Sequence, residues 1–332
     1  MITNTPEEDF SVVIINNYPV IQMPTHLSIL EAVAFKQVGY ELLTKSPLPP
    51  QLIIDFSQTQ FIDSSGLGAL VHNFKLAKSK DVKLILYNVH PPVMAVLSMT
   101  GLDQVLPITF NLDTQQKATS FRRNAPPPKT HPSVRSWIKR SIDIIGSLIG
   151  LMITGILLIP IAIAIKRDSP GPVFFKQVRC GWMGKRFMII KFRSMCVDAE
   201  SQKHKIENQA QGAIFKNTND PRITKFGRFL RRTSFDELPQ FFNVLKGEMS
   251  LVGTRPPTPD EVERYEVPQW QRLNVKPGMT GEWQVYGRSR VNNFEDVIKL
   301  DLRYQKNWSH WYDLQLIFKT IFIIFRKNSG AF

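Results

Sequence analysis

Cysteine is nearly absent from this chain of 332 residues: only Cys180 and Cys196 occur, with no Cys-x-x-Cys, and the 6 histidines form no cluster at metal-ligand spacing. That argues against a disulfide framework and a zinc site. Arginine is missing from residues 1–115, which carry 6 Lys against 10 Asp plus Glu, a net of −4, so the overall +14 requires +18 from the remaining 217 residues. The two parts therefore face different partners. Charge of either sign is absent from Ile144 to Ile165, a run long enough to cross a bilayer as a helix. The first residues, Met-Ile-Thr-Asn-Thr-Pro-Glu-Glu-Asp, lack the basic and apolar pattern of a secretory signal, so the N-terminus is expected in the cytosol. Composition is otherwise globular, with room for two domains.

In the acidic part, Ser11 to Ile15 and Tyr18 to Met23 read as a hairpin across Asn16-Asn17, followed by a helix over Leu27–Leu43 and a strand over Gln51–Phe56. A helix over Gly66–Lys80 and a strand over Lys83–Tyr87 complete a small α/β sandwich. Between strand and helix lies Phe61-Ile-Asp63-Ser64-Ser65-Gly66-Leu-Gly68-Ala-Leu70. This segment resembles a STAS domain of the anti-sigma-factor-antagonist type, a likeness covering most of residues 10–110 and placing the domain at 1–112. The resemblance aligns Ser64 with the serine that kinase partners phosphorylate. A phosphate there would bring nearly two negative charges to a helix start; the alternative is an Asp-Ser cap that closes a loop and carries no phosphate. The partners implied are a second copy of the chain, as a homodimer, or a STAS-binding regulator. Residues 113–134, with Pro126-Pro-Pro128 and His131-Pro132, read as a stiff, solvated linker.

The uncharged run contains Pro160 and is flanked by Arg135, Lys139 and Arg140 on one side and by Lys166 and Arg167 on the other. Proline kinks a helix, and basic flanks mark the cytosolic side. Base at both ends predicts a helix over about 138–166 that enters and returns on one face, with membrane lipid as its partner. Near the C-terminus, Trp308-Ser-His-Trp311-Tyr312 precedes the apolar, aromatic-rich stretch Leu314–Phe325, which suits a headgroup boundary or an ordinary core helix.

Two adjacent carboxylates then stand among cations in Arg231-Arg-Thr-Ser-Phe-Asp236-Glu237-Leu-Pro-Gln240, followed by Gly247-Glu-Met-Ser-Leu-Val-Gly253-Thr-Arg255-Pro256. A carboxylate can attack phosphorus, a second can hold a divalent metal, and arginines can neutralise phosphate oxygens. Ser234-x-x-Glu237 also fits a capping box, and a helix start is itself a place for phosphate.

With Asp168-Ser-Pro-Gly171-Pro-Val-Phe-Phe175-Lys-Gln177-Val-Arg179, Lys191-Phe-Arg193-Ser-Met195, Asp236-Glu-Leu-Pro-Gln-Phe-Phe-Asn-Val-Leu-Lys-Gly247 and Lys276-Pro-Gly-Met-Thr-Gly281-Glu-Trp-Gln284-Val-Tyr-Gly-Arg288 in order, residues 135–332 resemble a bacterial sugar transferase, a monotopic phosphoglycosyl transferase. The resemblance implies a mainly helical membrane-associated domain with a re-entrant helix broken at Pro160, on the cytoplasmic face of the inner membrane. Where the family has Ser-Pro at that break, this chain has Ile159-Pro160. The implied reaction moves a sugar 1-phosphate from a UDP-sugar to polyprenyl phosphate, releasing UMP. Asp236 matches the nucleophile, and Glu237 matches its partner on Mg²⁺. Arg255 and Arg288 are candidates for phosphate, Lys191 and Arg193 for the same cavity, and Pro256 and Gln284 belong to the same substrate set. The family's Gly-Pro-Arg-Pro is Gly253-Thr254-Arg255-Pro256 here, which fixes the backbone before Arg255 less. Lys276-Pro277-Gly278 and Gly281 are expected to shape a turn near the nucleotide. The alternative is a membrane-anchored STAS scaffold without catalysis, and no motif supports nucleic acid as a partner.

Overall fold

In a computed structural model the described residues are 10–110, 131–210, 212, 213, 215, 217, 219–287 and 293–325. Arg288 and nearly all of the proline-rich linker lie outside them. The chain forms two units. The first comprises residues up to Thr130 with Met183–Lys185 and Tyr265–Asn274, and the second comprises His131–Trp182, Arg186–Arg264 and the residues from Val275 onward.

The first unit is built on a five-stranded sheet in the order β1 (Val12–Ile15), β2 (Tyr18–Gln22), β4 (Gln51–Asp55), β6 (Lys83–Tyr87) and β7 (Ile108–Thr109). β1 and β2 form the expected hairpin; Asn16 and Asn17 both take positive φ, the backbone that twists a two-residue turn to match its strands. The other pairings are parallel. Alternate strand residues Leu52, Ile54, Leu84 and Leu86 are buried, the period of two that a strand imposes. Short β3 (His26–Leu27) pairs with β5 (Phe61–Ile62). Helices α1 (Ile29–Thr44), α2 (Ser64–Ser79) and α3 (Pro91–Thr100) complete the α/β layer. Asn73 Nδ2 of α2 donates to Phe35 O of α1 at 3.0 Å and fills the space over Gly39. Asp63 caps α2 by accepting from Gly66 N at 3.0 Å, so the helix begins two residues earlier than the sequence suggests.

The second unit opens with the helical turn α4 (Pro132–Arg135) and then α5 (Trp137–Asp168), 32 residues long, or roughly 48 Å at 1.5 Å per residue. Its buried positions are Lys139, Asp143, Ser147, Gly150, Thr154, Ile161 and Ile165, a stripe at helical spacing. Its exposed ones include Ile145, Leu148, Ile149, Met152, Ile153, Ile156, Ile159 and Ile163. That is the inverse of a soluble helix, which buries its large apolar side chains. A continuous apolar surface of this kind belongs against lipid. Pro160 removes the N–H that would pair with the Ile156 carbonyl, yet the backbone is helical on both sides of it. Both halves of α5 engage the rest of the unit. Arg140 Nη1 and Nη2 donate to Val244 O (2.7 Å) and Leu245 O (2.6 Å), Asp143 Oδ1 accepts from Leu251 N (2.8 Å), and Ile161 and Ile165 pack against Phe192 and Leu230.

Around α5 lie an antiparallel hairpin of β8 (Phe174–Cys180) and β9 (Arg186–Phe192), helices α6 (Lys225–Thr233), α7 (Phe241–Lys246) and α8 (Pro259–Glu263), and a parallel pair of β10 (Ser250–Val252) and β11 (Gly278–Thr280). Gly253 and Gly278 let that pair close: a Cβ on Gly253 would fall 2.2 Å from Lys276 O, and one on Gly278 would fall 2.1 Å from Gly253 N. Two helices, α9 (Phe294–Lys306) and α10 (His310–Phe325), finish the described chain. α10 buries Leu316 and Asp313 while exposing Trp311, Phe318, Ile321 and Phe322, so it combines both readings of the C-terminal stretch.

If the outer face of α5 binds lipid, Ile156→Asp, at a position 72% exposed, leaves the fold intact but weakens partition into anionic vesicles by about 10- to 100-fold, the loss of one buried aliphatic side chain. Vesicle co-sedimentation checks this; unchanged partition would contradict the assignment of that face.

Candidate active site

Thr224 caps α6 by accepting from Gly227 N at 3.0 Å, and Asp168 Oδ2, at the end of α5, accepts from Phe226 N at 2.9 Å. α6 stops where Ser234 takes the left-handed conformation, φ 58°. The chain then tightens into a 3₁₀ turn, Phe235–Gln240, and continues as α7, which ends at Gly247, also left-handed. The carboxylates thus sit on a turn between two helices. The capping box expected at Ser234-x-x-Glu237 does not form: Ser234 closes α6, its side chain makes no cap bond, and the Glu237 side chain turns to Lys191. A residue in left-handed backbone cannot hold the extended geometry of an N-cap.

In a 3₁₀ turn successive side chains diverge by about 120°. Asp236 accordingly points inward and is buried, 6% exposed. Glu237 is half-buried and accepts from Lys191 Nζ at 2.8 Å. Lys191 is delivered by β9, which Asn243 ties to the same turn: its Oδ1 accepts from Ile190 N at 3.2 Å and its Nδ2 donates to Met188 O at 2.7 Å. Phe235 and Leu238, on either side of the carboxylates, pack against the cluster containing Ile161 and Ile165 of α5. Thr154 Oγ1 of α5 reaches Leu238 O at 3.3 Å.

Arg193 has a different task from the one expected. Its Nη1 and Nη2 donate to Pro170 O (2.6 Å) and Ser169 O (2.7 Å), and burial lowers its pKa. It braces the turn after α5. Gly171 is required there: φ is +121°, and a Cβ would lie 2.0 Å from Arg193 Nη1. The Asp168-Ser-Pro-Gly and Lys-Phe-Arg-Ser motifs are therefore two halves of one joint.

Arg255 forks onto Glu261, with Nη1 to Oε2 at 2.8 Å and Nη2 to Oε1 at 3.1 Å, and its guanidinium lies 5.8 Å from the Trp283 ring centroid. Pro256 contributes its carbonyl, which accepts from Arg179 Nη1 at 2.9 Å. Thr254 pairs with Pro277 beside the Gly253–Gly278 contact, so Lys276-Pro277-Gly278 lies along the Arg255 segment. The sequence reading quoted Arg179 only as the end of a motif. In the structure it is half-buried, with a pKa pushed down to about 10, first by desolvation and then by the Arg255 charge, while Glu261, Glu200 and Glu237 oppose the shift. Its Nε, Trp283 Nε1 and Gln284 Oε1 are buried without a hydrogen-bond partner among the described residues. Buried polar atoms of that kind suit a polar ligand.

No group of three or more His, Cys, Asp or Glu side chains at metal-binding distance occurs among the described residues. Asp236 and Glu237 are nonetheless hard oxygen donors of the kind Mg²⁺ takes, because that ion is often held by one or two carboxylates with substrate phosphates and water.

Residues 134–327 match the bacterial sugar transferase family, and residues 11–115 match the STAS domain. A galactosyl transferase, CpsE, of Streptococcus agalactiae serotype III is 51% identical over 188 residues, which are 56% of this chain and 42% of that protein. A UDP-glucose:undecaprenyl-phosphate glucose-1-phosphate transferase of Escherichia coli is 42% identical over 196 residues, 57% of this chain and 40% of that one. The chain thus spans about two-fifths of the length of these relatives. A UDP-N-acetylgalactosamine-undecaprenyl-phosphate N-acetylgalactosaminephosphotransferase of Aeromonas hydrophila is 32% identical over 292 residues, 86% of this chain and 67% of that protein.

The two cations of β9 should separate experimentally. Arg193→Met removes two hydrogen bonds from a buried charged group and is expected to lower unfolding free energy by about 3–5 kcal/mol. Lys191→Met breaks a part-exposed pair and is expected to cost less than about 1 kcal/mol. Denaturant unfolding of the detergent-solubilised protein measures both, and equal losses would contradict the division of labour.

Proposed function

The chain belongs to the bacterial sugar transferase family, and on that footing we propose that it moves a hexose 1-phosphate from a UDP-sugar to polyprenyl (undecaprenyl) phosphate at the cytoplasmic face of the inner membrane. The observation that carries this reading is a buried Asp236, with Glu237 and its Lys191 partner beside it, on a turn packed directly against the lipid-facing helix. Such a turn faces two substrates of opposite character: a soluble nucleotide sugar, and a phosphate anchored in the bilayer. The relatives named for galactose or glucose transfer favour a hexose.

Asp236 is assigned as nucleophile. A carboxylate oxygen attacks the phosphorus that bears the sugar, the bridging P–O bond to UMP breaks, and UMP departs with that electron pair. The polyprenyl phosphate oxygen then attacks the same phosphorus, and the Asp236–phosphorus bond breaks to regenerate the free carboxylate. In this route the two anionic substrates never meet, which removes their mutual repulsion from the barrier. Arg179 and Arg255 stabilise the phosphoryl oxygens; both are already held by backbone or carboxylate acceptors, so little reorganisation accompanies the reaction. Lys191 keeps Glu237 oriented. Mg²⁺, held by Asp236 and Glu237 when bound, would supply charge neutralisation of the diphosphate. Both halves of α5 packing on one unit support a helix that enters and leaves on the same face, although the break expected at Pro160 is not seen and the helix runs through it from Trp137 to Asp168. The intact carboxylate pair favours the enzyme over a STAS scaffold.

Asp236→Asn is expected to cut UMP release from a UDP-hexose by at least about 10³-fold while vesicle binding persists; undiminished release excludes the nucleophile. Excess EDTA is expected to stop turnover and added Mg²⁺ to restore it. Full activity in the chelator counts against the metal.

A further inference from the structure

The first unit is not made of its N-terminal residues alone. Tyr265–Asn274, from far along the chain, folds with it, and its 3₁₀ segment Val267–Asn274 lies against the start of α2. Ser64 is fully buried there. Its hydroxyl donates to Trp270 O at 2.6 Å, and Asn274 Oδ1 is also within reach at 2.8 Å. The Ser64 backbone N–H donates to that same Oδ1 at 3.1 Å, which fixes the amide with its oxygen, not its NH₂, toward Ser64.

Trp270 lies where side chains are missing. A Cβ on Gly68 would sit 2.6 Å from the indole, and one on Gly184, a residue of the same unit, would sit 3.5 Å away. Lys36 Nζ of α1 holds Glu266 at 2.5 Å. The segment is itself stiff: Arg272 is fully buried and donates to Tyr265 Oη at 2.5 Å. Hydrogen bonds, a shaped seat for an indole and an ion pair thus converge on one stretch. It leads in sequence directly from the segment of Arg255 to Lys276-Pro277-Gly278.

We propose that Val267–Asn274 is an internal ligand of the STAS module, that Ser64 is its lock, and that a negative charge at position 64 unseats it. The surface around Ser64 is then a self-occupied docking face, and any separate protein that binds it has to displace this segment first. The electrostatics are one-sided. A carboxylate at position 64 would face two acceptor oxygens, Trp270 O and Asn274 Oδ1, beside the already buried carboxylate of Asp63. Like-charged or acceptor-only groups cannot share a hydrogen bond, and a buried charge without a partner is unstable.

Hydrogen exchange of the full chain in detergent tests the lock without reference to catalysis. In S64D, exchange of the amides from 267 to 274 is expected to rise about 10- to 100-fold, the effect of an unpaired buried charged group, whereas S64A, which loses the hydroxyl alone, rises only a few-fold. Protection of β4 and β6 should be retained in both. Wild-type exchange at 267–274 in S64D overturns the proposal. If S64D deprotects β4 and β6 as well, W270A decides, since it alters no residue of the sheet. Faster exchange at 64–68 in W270A supports a seated segment, and unchanged exchange there overturns it.

Discussion

The inverted helix α5 is the constraint on which the second unit depends. A helix that turns most of its isoleucines outward grips its own domain with Ile161 and Ile165 in its second half, and over its first turns it grips through charge. Lys139 pairs with Asp313 at 2.6 Å, both buried, and also reaches Val252 O; Tyr304 Oη and Trp308 Nε1 complete the carboxylate's shell. Arg140 takes the last carbonyls of α7, where a cation also answers the helix dipole. Asp143 takes Ser250 Oγ and Leu251 N of β10. Burying such charges costs several kcal/mol per ion unless every lone pair and proton is matched, and here the matching groups come from α7, which continues the Asp236 turn, and from β10, α9 and α10. The level of the carboxylates relative to the apolar face is therefore set by the same bonds that make burial of those charges tolerable.

Adjacent carboxylates diverge by about 120° in a 3₁₀ turn, and here that divergence gives the two different surroundings. One residue of rotation places Asp236 in the interior and Glu237 against Lys191. The first is positioned by Phe235 and Leu238 packing on α5, the second by a lysine from β9. The proposed nucleophile and its neighbouring carboxylate thus receive different surroundings within two residues.

Much of the first module was legible in the sequence because its signals are local: strand Lys83–Tyr87 matches to the residue, and the Asn16-Asn17 hairpin follows from two residues that tolerate positive φ. The bounds of α5, expected over about 138–166, agree with Trp137–Asp168 to within two residues, but the face it buries was less legible. Lys139, Arg140 and Asp143 look like the polar edge of a membrane run, whereas they are the inner stripe of the helix itself, which begins at Trp137. Arg193, expected to line the phosphate cavity, instead holds two backbone carbonyls, and its role was illegible for a similar reason. A motif shows that an arginine is required but not whether its guanidinium meets a phosphate or two backbone carbonyls. The Ser64 contacts, separated by more than 200 residues in sequence, leave no periodic trace at all.

The basic excess of this part of the chain would be a poor guide to the site if the charges were hydrated, because a diphosphate would then have to strip water from each cation it met. Arg179 removes that difficulty. It is already desolvated, which is why its pKa falls to about 10, yet at neutral pH it keeps its proton by roughly a thousandfold, since each pKa unit is a factor of ten. Beside it Arg255 is neutralised in part by Glu261 and lies over the Trp283 ring. The cost of desolvating these cations and of bringing like charges close is met when the chain folds, by packing and by the Glu261 and Pro256 acceptors. An anion meeting these groups would not have to strip water from them first, which suits the phosphate-binding role proposed for them.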